Sequence, residues 1–327
     1  MKHKMNRRKF FTDTALSAAG VLVATNSWGL PATAANAPSA VKPAASFNLM
    51  QEVKKFRKID AHVHVDLGSS DLAVQRKLAD KLVDYMDRLG VEKLVLSKPV
   101  TRLVSGVPVG TTEAYKDHND VVLYVMKLHP DRFTGNMTVN PFNPKEALEE
   151  IKRCTDAGMN GAKLYYQVKI SDPSYAPILE KFIDQKMVIH SHAECQLGVG
   201  GYRMKYNGYK PAGVSVPEDF VAVAKRYPEG VFQYAHIGGG GDWEYMCKAL
   251  KNSPNVYVDT SGTNNEENLI DFAVRQLGED RLLFGSDNCY YQSVGKILAA
   301  NLTDVQKQKI FFHNYNNLLK KAGRHVN

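Results

Sequence analysis

Cysteine is scarce in this chain: Cys154, Cys195, Cys247 and Cys289 are the only four among 327 residues. No two form a C-x-x-C pair and their spacings match no zinc ribbon, which argues against a Cys-ligated structural metal and a dithiol redox centre. An exported chain would leave two readings open, a disulfide or buried unpaired thiols. No G-x-G-x-x-G follows the first strand-like run, which argues against a dinucleotide-binding fold. The glycine run Gly238–Gly241 lacks a following Lys-Ser/Thr, so it is not a phosphate-binding loop. No internal repeat is visible. No apolar run is long and uninterrupted enough to read as a membrane span. The net charge is +8, yet beyond residue 36 there is no run of Lys and Arg and no nucleic-acid module. No nucleic-acid partner is therefore expected, and the mild basicity suits a small anionic substrate.

Half of that charge excess sits at the start. Lys2, Lys4, Arg7, Arg8 and Lys9 face only Asp13 within residues 1–36. The paired arginines precede Phe10-Phe11, a weakly apolar stretch from Ala15 to Ala24, and small residues around Ala32–Ala37. This looks like a twin-arginine export signal with A-x-A cleavage sites, which implies the export machinery as a partner and a periplasmic or otherwise exported mature protein. Residues 37–50 are rich in Ala, Pro and Ser, and the reading assigns 1–36 to the signal, 37–54 to a linker and 55–327 to the catalytic domain.

From about residue 55 the pattern becomes regular. Hydrophobic residues make up 44% of the chain, enough for an ordinary packed core. Short β-branched runs occur at Lys58–Val65, Val91–Lys98, Phe133–Asn140, Gly161–Tyr165, Met187–His190, Val231–His236, Val256–Thr260 and Arg281–Gly285. Helix-compatible stretches lie between most of them, among them Leu72–Leu89, Pro144–Ala157, Tyr175–Gln185, Pro217–Tyr227, Trp243–Asn252 and Glu266–Leu277. Eight strands alternating with helices predict an α/β fold, a single (β/α)8 barrel of TIM type.

Catalytic groups of such barrels gather at the C-terminal strand ends. Run one ends in His62-Val63-His64, two imidazoles at i and i+2 on one face of a strand, a chelating arrangement. Run five ends in His190, with His192 on the same face as its rival; run six ends in His236, and run eight leads to Asp287. Imidazole and carboxylate suit zinc and similar divalent ions, which acidify water to a pKa of roughly 7 and so call for a nearby base. Each group also has a purely structural reading: Asp287 as a helix N-cap, His236 as a histidine satisfied by glycine-rich backbone. Lys163, at the end of run four, reads as a substrate contact or a structural ion pair. Lys98 and Arg102 after run two, and Arg203 and Lys205 after run five, are candidate clamps for a substrate carboxylate. Tyr202, Tyr206 and Tyr209 suggest a lid over an aromatic or unsaturated substrate.

The ordered set Ile59–His64, Pro130–Phe133, Gly158–Leu164, Val188–His190, Ala235–Gly239, Leu283–Asp287 and Ile310–Leu319 with Asn314 resembles the amidohydrolase superfamily. The likeness is to its amidohydrolase-related group, which includes aminocarboxymuconate-semialdehyde decarboxylase. It implies a distorted TIM-type barrel, with His62, His64, His190 and Asp287 as metal ligands and His236 as the residue that activates or orients water. Some members of the superfamily carry, at the position of Lys163, a carboxylated lysine that bridges two metals, but the likeness to this group implies one divalent ion, zinc first, with manganese or iron as the other candidates. The resulting expectation is a metal-dependent hydrolase of a small, anionic lactone, amide or ester, with His236 and Asp287 moving protons and Lys163, Lys98, Arg102 and His192 near the substrate. The alternative is a metal-dependent decarboxylase of an unsaturated or aromatic acid. A third reading, a periplasmic binding protein on a barrel scaffold, predicts missing ligands, and none is missing. A homo-oligomer is compatible with the sequence.

Overall fold

Alternation of strand and helix builds a ring. In the computed structural model, which describes residues 48–65, 71–100, 103–104, 107–108, 112–195, 213–237 and 242–327, eight strands run parallel: β1 (Lys58–His64), β2 (Val91–Ser97), β3 (Phe133–Met137), β4 (Gly161–Leu164), β5 (Val188–His192), β6 (Val231–Ala235), β7 (Val256–Asp259) and β8 (Leu282–Leu283). Each pairs with the next in chain order, from β1 to β8. Single hydrogen bonds draw the last strand to the first: Ala61 N–H donates to Phe284 O at 2.8 Å, and Asp287 N–H to His62 O at 2.8 Å. The result is a nearly closed (β/α)8 barrel, as expected.

The helices form for legible local reasons. Asp71 caps α2 (Leu72–Leu89) by accepting from Ala73 N, and Gly90, at φ +67°, lets the chain leave the helix in the left-handed conformation. Residues 49–54, assigned above to the linker, instead form α1 (Leu49–Lys54). Asn48 caps it, Val53 buries into the core, and the Lys58 ammonium donates to Val53 O and Phe56 O. The run read as Arg281–Gly285 is strand only at Leu282–Leu283, preceded by a 3-10 turn at Glu279–Arg281. A short hairpin pairs Leu103–Val104 with Val107–Pro108.

One apolar core lies between the strands and the surrounding helices. A second, made of Ile59, Ala61, Val95, Val188 and Leu283, is closed by Phe312, Tyr315, Leu318 and Leu319 from the C-terminal segment. Ile59 and Val188 lie at the starts of β1 and β5, so that segment plugs the end opposite the mouth. None of the four cysteines forms a disulfide, and three of them are buried. No helix among the described residues is long and apolar enough to cross a membrane. The export signal, most of the linker, Arg102, Arg203, Lys205, the three loop tyrosines and Gly238–Gly241 lie outside the described residues.

Candidate metal centre at the barrel mouth

The pair on β1 meets its partner from β8. His62 Nε2 and His64 Nε2 are 3.1 Å apart. The Asp287 carboxylate places Oδ1 at 3.1 Å from His64 Nε2 and 3.5 Å from His62 Nε2. The chain reaches this position through two residues in the left-handed region, Asp287 at φ +49° and Asn288 at φ +63°. Asp and Asn tolerate that region better than other side-chain-bearing residues. Asn288 then clasps the backbone of His64, accepting from its N–H at 2.8 Å and donating to its carbonyl at 2.9 Å. The N-cap position of the following helix, α9 (Tyr290–Ala299), belongs to Cys289, so Asp287 is not spent as a cap.

His236 stands beside this group. Its Nδ1 is 2.8 Å from Ser261 Oγ and 3.6 Å from Asp287 Oδ2, and its Nε2 is 3.2 Å from His192 Nδ1. Its backbone is held at φ +133°, a region costly for a residue with a side chain and one that tends to persist at functional sites. The rival histidines of β5 part company. His190 Nε2 faces Lys163 Nζ at 2.9 Å and Asp259 Oδ2 at 3.2 Å, whereas His192 faces His236 and Glu194.

Among the described residues, two sets of donor atoms therefore lie close enough to share an ion: His62, His64 and Asp287, and His62, His236 and Asp259. His190 falls in neither. Lys163 is fully buried, and its ammonium also contacts His62 Nε2 at 2.9 Å, so it touches the imidazoles rather than open space. Lys98 lies just past β2, partly buried, with its charge acting on His118. Asp259 was not singled out from the sequence. The signal was there: Tyr257-Val258-Asp259 ends run seven as the other site residues end theirs. Ser261 and Gln233, which also contact these groups, carry no sequence signal of their own.

Burial sets the protonation states. It pushes the His62, His64 and His236 imidazoles below their ordinary pKa, and His190 down to about 3, so all four are neutral at physiological pH. Burial alone would raise Asp259 and Asp287, but the histidines around them outweigh it and hold both carboxyls well below the usual range. Burial lowers Lys163 to about 7. At the back of the site burial lifts Asp60 to about 7, although it accepts from Ser286 N, His62 N and Tyr85 Oη.

Neutral imidazoles beside ionised carboxylates are the donor chemistry that zinc, manganese and ferrous iron take. Lys163 Nζ lies 2.9 Å from both His62 Nε2 and His190 Nε2, and burial, which lowers its pKa to about 7, weakens the positive charge set against those rings. The residues present thus fit a divalent ion, with His62, His64 and Asp287 as the set at the mouth.

The amidohydrolase family model matches residues 59–314, and the chain belongs to this family of metal-dependent enzymes. No curated protein matches it in sequence. Among solved structures it is similar to a 2,6-dihydroxybenzoate decarboxylase from Rhizobium, with 18% identity, TM-score 0.62, and coverage of 81% of this chain and 98% of that one. It is also similar to a dihydroxybenzoic acid decarboxylase from Polaromonas sp. JS666 holding manganese and 2-nitroresorcinol (17%, 0.60, 81% and 96%). A third is the 4-oxalomesaconate hydratase of Rhodopseudomonas palustris (19%, 0.60, 81% and 96%). At these identities the likeness establishes the shared barrel.

Proposed function

We propose that this protein is a metal-dependent hydrolase of a small anionic lactone, amide or ester. The observation that carries the reading is the position of Asp287. One oxygen faces the His62–His64 imidazoles and the other faces His236. A single carboxylate thus joins a metal-capable donor set to a neutral histidine able to take a proton. A divalent ion held there supplies Lewis acidity, polarising a carbonyl and making water acidic enough to react near neutral pH. The chain's own residues do the rest. His236 accepts the proton at a ring nitrogen and returns it to the leaving group, while Asp287 orients that ring and stays ionised. Zinc is the first candidate, with manganese or iron as alternatives. His190, one strand over, is proposed to complete the donor set. Lys98 and Arg102, beyond β2, are proposed to hold the substrate's negative charge, with Lys163 and His192 lining the inner wall.

The test is metal analysis of protein purified without chelator, followed by turnover. We expect about one equivalent of metal per chain, and His62→Ala with His64→Ala should abolish both metal and activity. Well under one equivalent, or activity retained in the double variant, sinks the reading. A second reading, carbon–carbon lyase, is favoured by the names of the decarboxylases that share the barrel. Carbon dioxide release from aromatic or unsaturated acids, with no lactone or ester hydrolysis, would replace the first reading with the second.

A further inference from the structure

We propose that Asp259 is a positioning residue that fixes the His62 ring for metal binding without itself binding metal. The inference rests on the metalloenzyme reading above and assigns a role to a residue outside its ligand set. Asp259 ends β7 and is fully buried. Its Oδ2 receives His62 Nδ1 at 3.1 Å and Gln233 Nε2 at 2.9 Å, and lies 3.2 Å from His190 Nε2, which itself faces Lys163 Nζ at 2.9 Å. Its Oδ1 receives the backbone N–H of Ser261 at 3.2 Å and the Ser261 hydroxyl. Four donors on two oxygens occupy essentially all the acceptor sites a carboxylate offers. Although its atoms lie near those of His62 and His236, it has no lone pair to give a metal.

What it does instead follows from the same contacts. An ionised carboxylate only accepts, so the facing nitrogen of His62 must carry the hydrogen. That settles the tautomer: Nδ1–H points at Asp259, and the lone pair sits on Nε2, which accepts from Lys163 Nζ and faces His64 and Asp287. A carboxylate behind a histidine ligand fixes ring and tautomer and raises ligand basicity. Because Asp259 holds the His62 ring of β1 and the Gln233 amide of β6 at once, it also ties two strands of the barrel to a third. Gly285 shows how tight this contact is: a Cβ there would lie 3.0 Å from both Asp259 Cβ and His62 Cβ.

The experiment measures zinc affinity by competition with a chromogenic chelator, for the parent and for Asp259→Asn, with circular dichroism checking the fold. Asp259→Asn is expected to bind zinc about 10–100-fold more weakly. In the metal-free protein, nitrogen-15 NMR of labelled histidine should show His62 as the Nδ1–H tautomer in the parent and a shift toward Nε2–H in the variant. If Asp259→Asn does not fold, Gln233→Leu, which removes one donor from the same oxygen, should weaken zinc several-fold. Affinity within twofold of the parent in either folded variant, or an unchanged His62 tautomer, overturns the inference and leaves the metal reading standing. A parent that holds no divalent metal overturns both.

Discussion

His236 concentrates several pressures in one residue. It is buried, its pKa is depressed, its backbone is strained at φ +133°, and its ring joins Ser261, His192 and Asp287. A residue that only filled space would not require that conformation. Replacing it with Asn should lower kcat roughly 10²–10⁴-fold, the ordinary worth of a general acid–base group. Metal content should be unchanged in the same preparation; a variant that loses metal instead would place His236 among the ligands. Lys58, at the opposite end of β1, makes a different prediction. Burial lowers its pKa from 10.5 to about 8, while its ammonium donates to Val53 O and Phe56 O. Between pH 8 and 10.5 the unfolded chain binds more protons than the folded one, so this group's contribution to stability rises with pH across that window. The full change is up to about 3 kcal/mol at 1.36 kcal/mol per pKa unit. Urea midpoints of the parent and Lys58→Met at pH 7.5 and pH 10 should diverge, the parent gaining; parallel responses would refute the assignment.

At the scale of the element, the closing plug depends on one side chain. The Asn314 amide donates to Leu282 O at 2.8 Å and to Glu279 O, tying the C-terminal helix α11 (Asn314–Lys321) to β8 and the turn before it. Asn314→Ala leaves those carbonyls without a partner in a largely buried setting and should cost about 1–3 kcal/mol. A fall in Tm shows this, and an unchanged Tm would mean that water replaces the amide freely. At the top of β8 the demand is for the absence of a side chain. Gly285→Ala drives a methyl group against Asp259 and His62, so it should weaken metal binding more than it lowers Tm.

Across the whole molecule, two expectations concern compartment and covalent state. No cysteine is in a disulfide, so denatured protein should titrate four thiols per chain, and a reducing agent should leave Tm unchanged. Three of them are buried, with Cys154 and Cys247 held as thiols by burial, the latter at about 12, which keeps them inert even where the surroundings are oxidising. The paired arginines at the start make export a separate proposal. Arg7→Lys with Arg8→Lys should retain the precursor inside the cell, as fractionation would show, and unimpaired export of that variant would reject it.

Much of this was readable before any coordinates. Short apolar, β-branched runs located all eight strands, though not all of their ends, and the 3.6-residue repeat of an apolar face located the long helix α2 to the residue. H-x-H on one strand predicted two converging imidazoles, and they converge at 3.1 Å. The tertiary structure decided what spacing along a chain cannot encode. It sent His190 and His192 to different partners, although both stand on the same strand face. It buried Lys163 against the imidazoles and brought Asp259 behind His62 across 197 positions of sequence. Periodicity is a property of neighbours along the chain, so local sequence carries it. Which rings share a carboxylate depends on how eight strands twist and close, and only the assembled barrel fixes that.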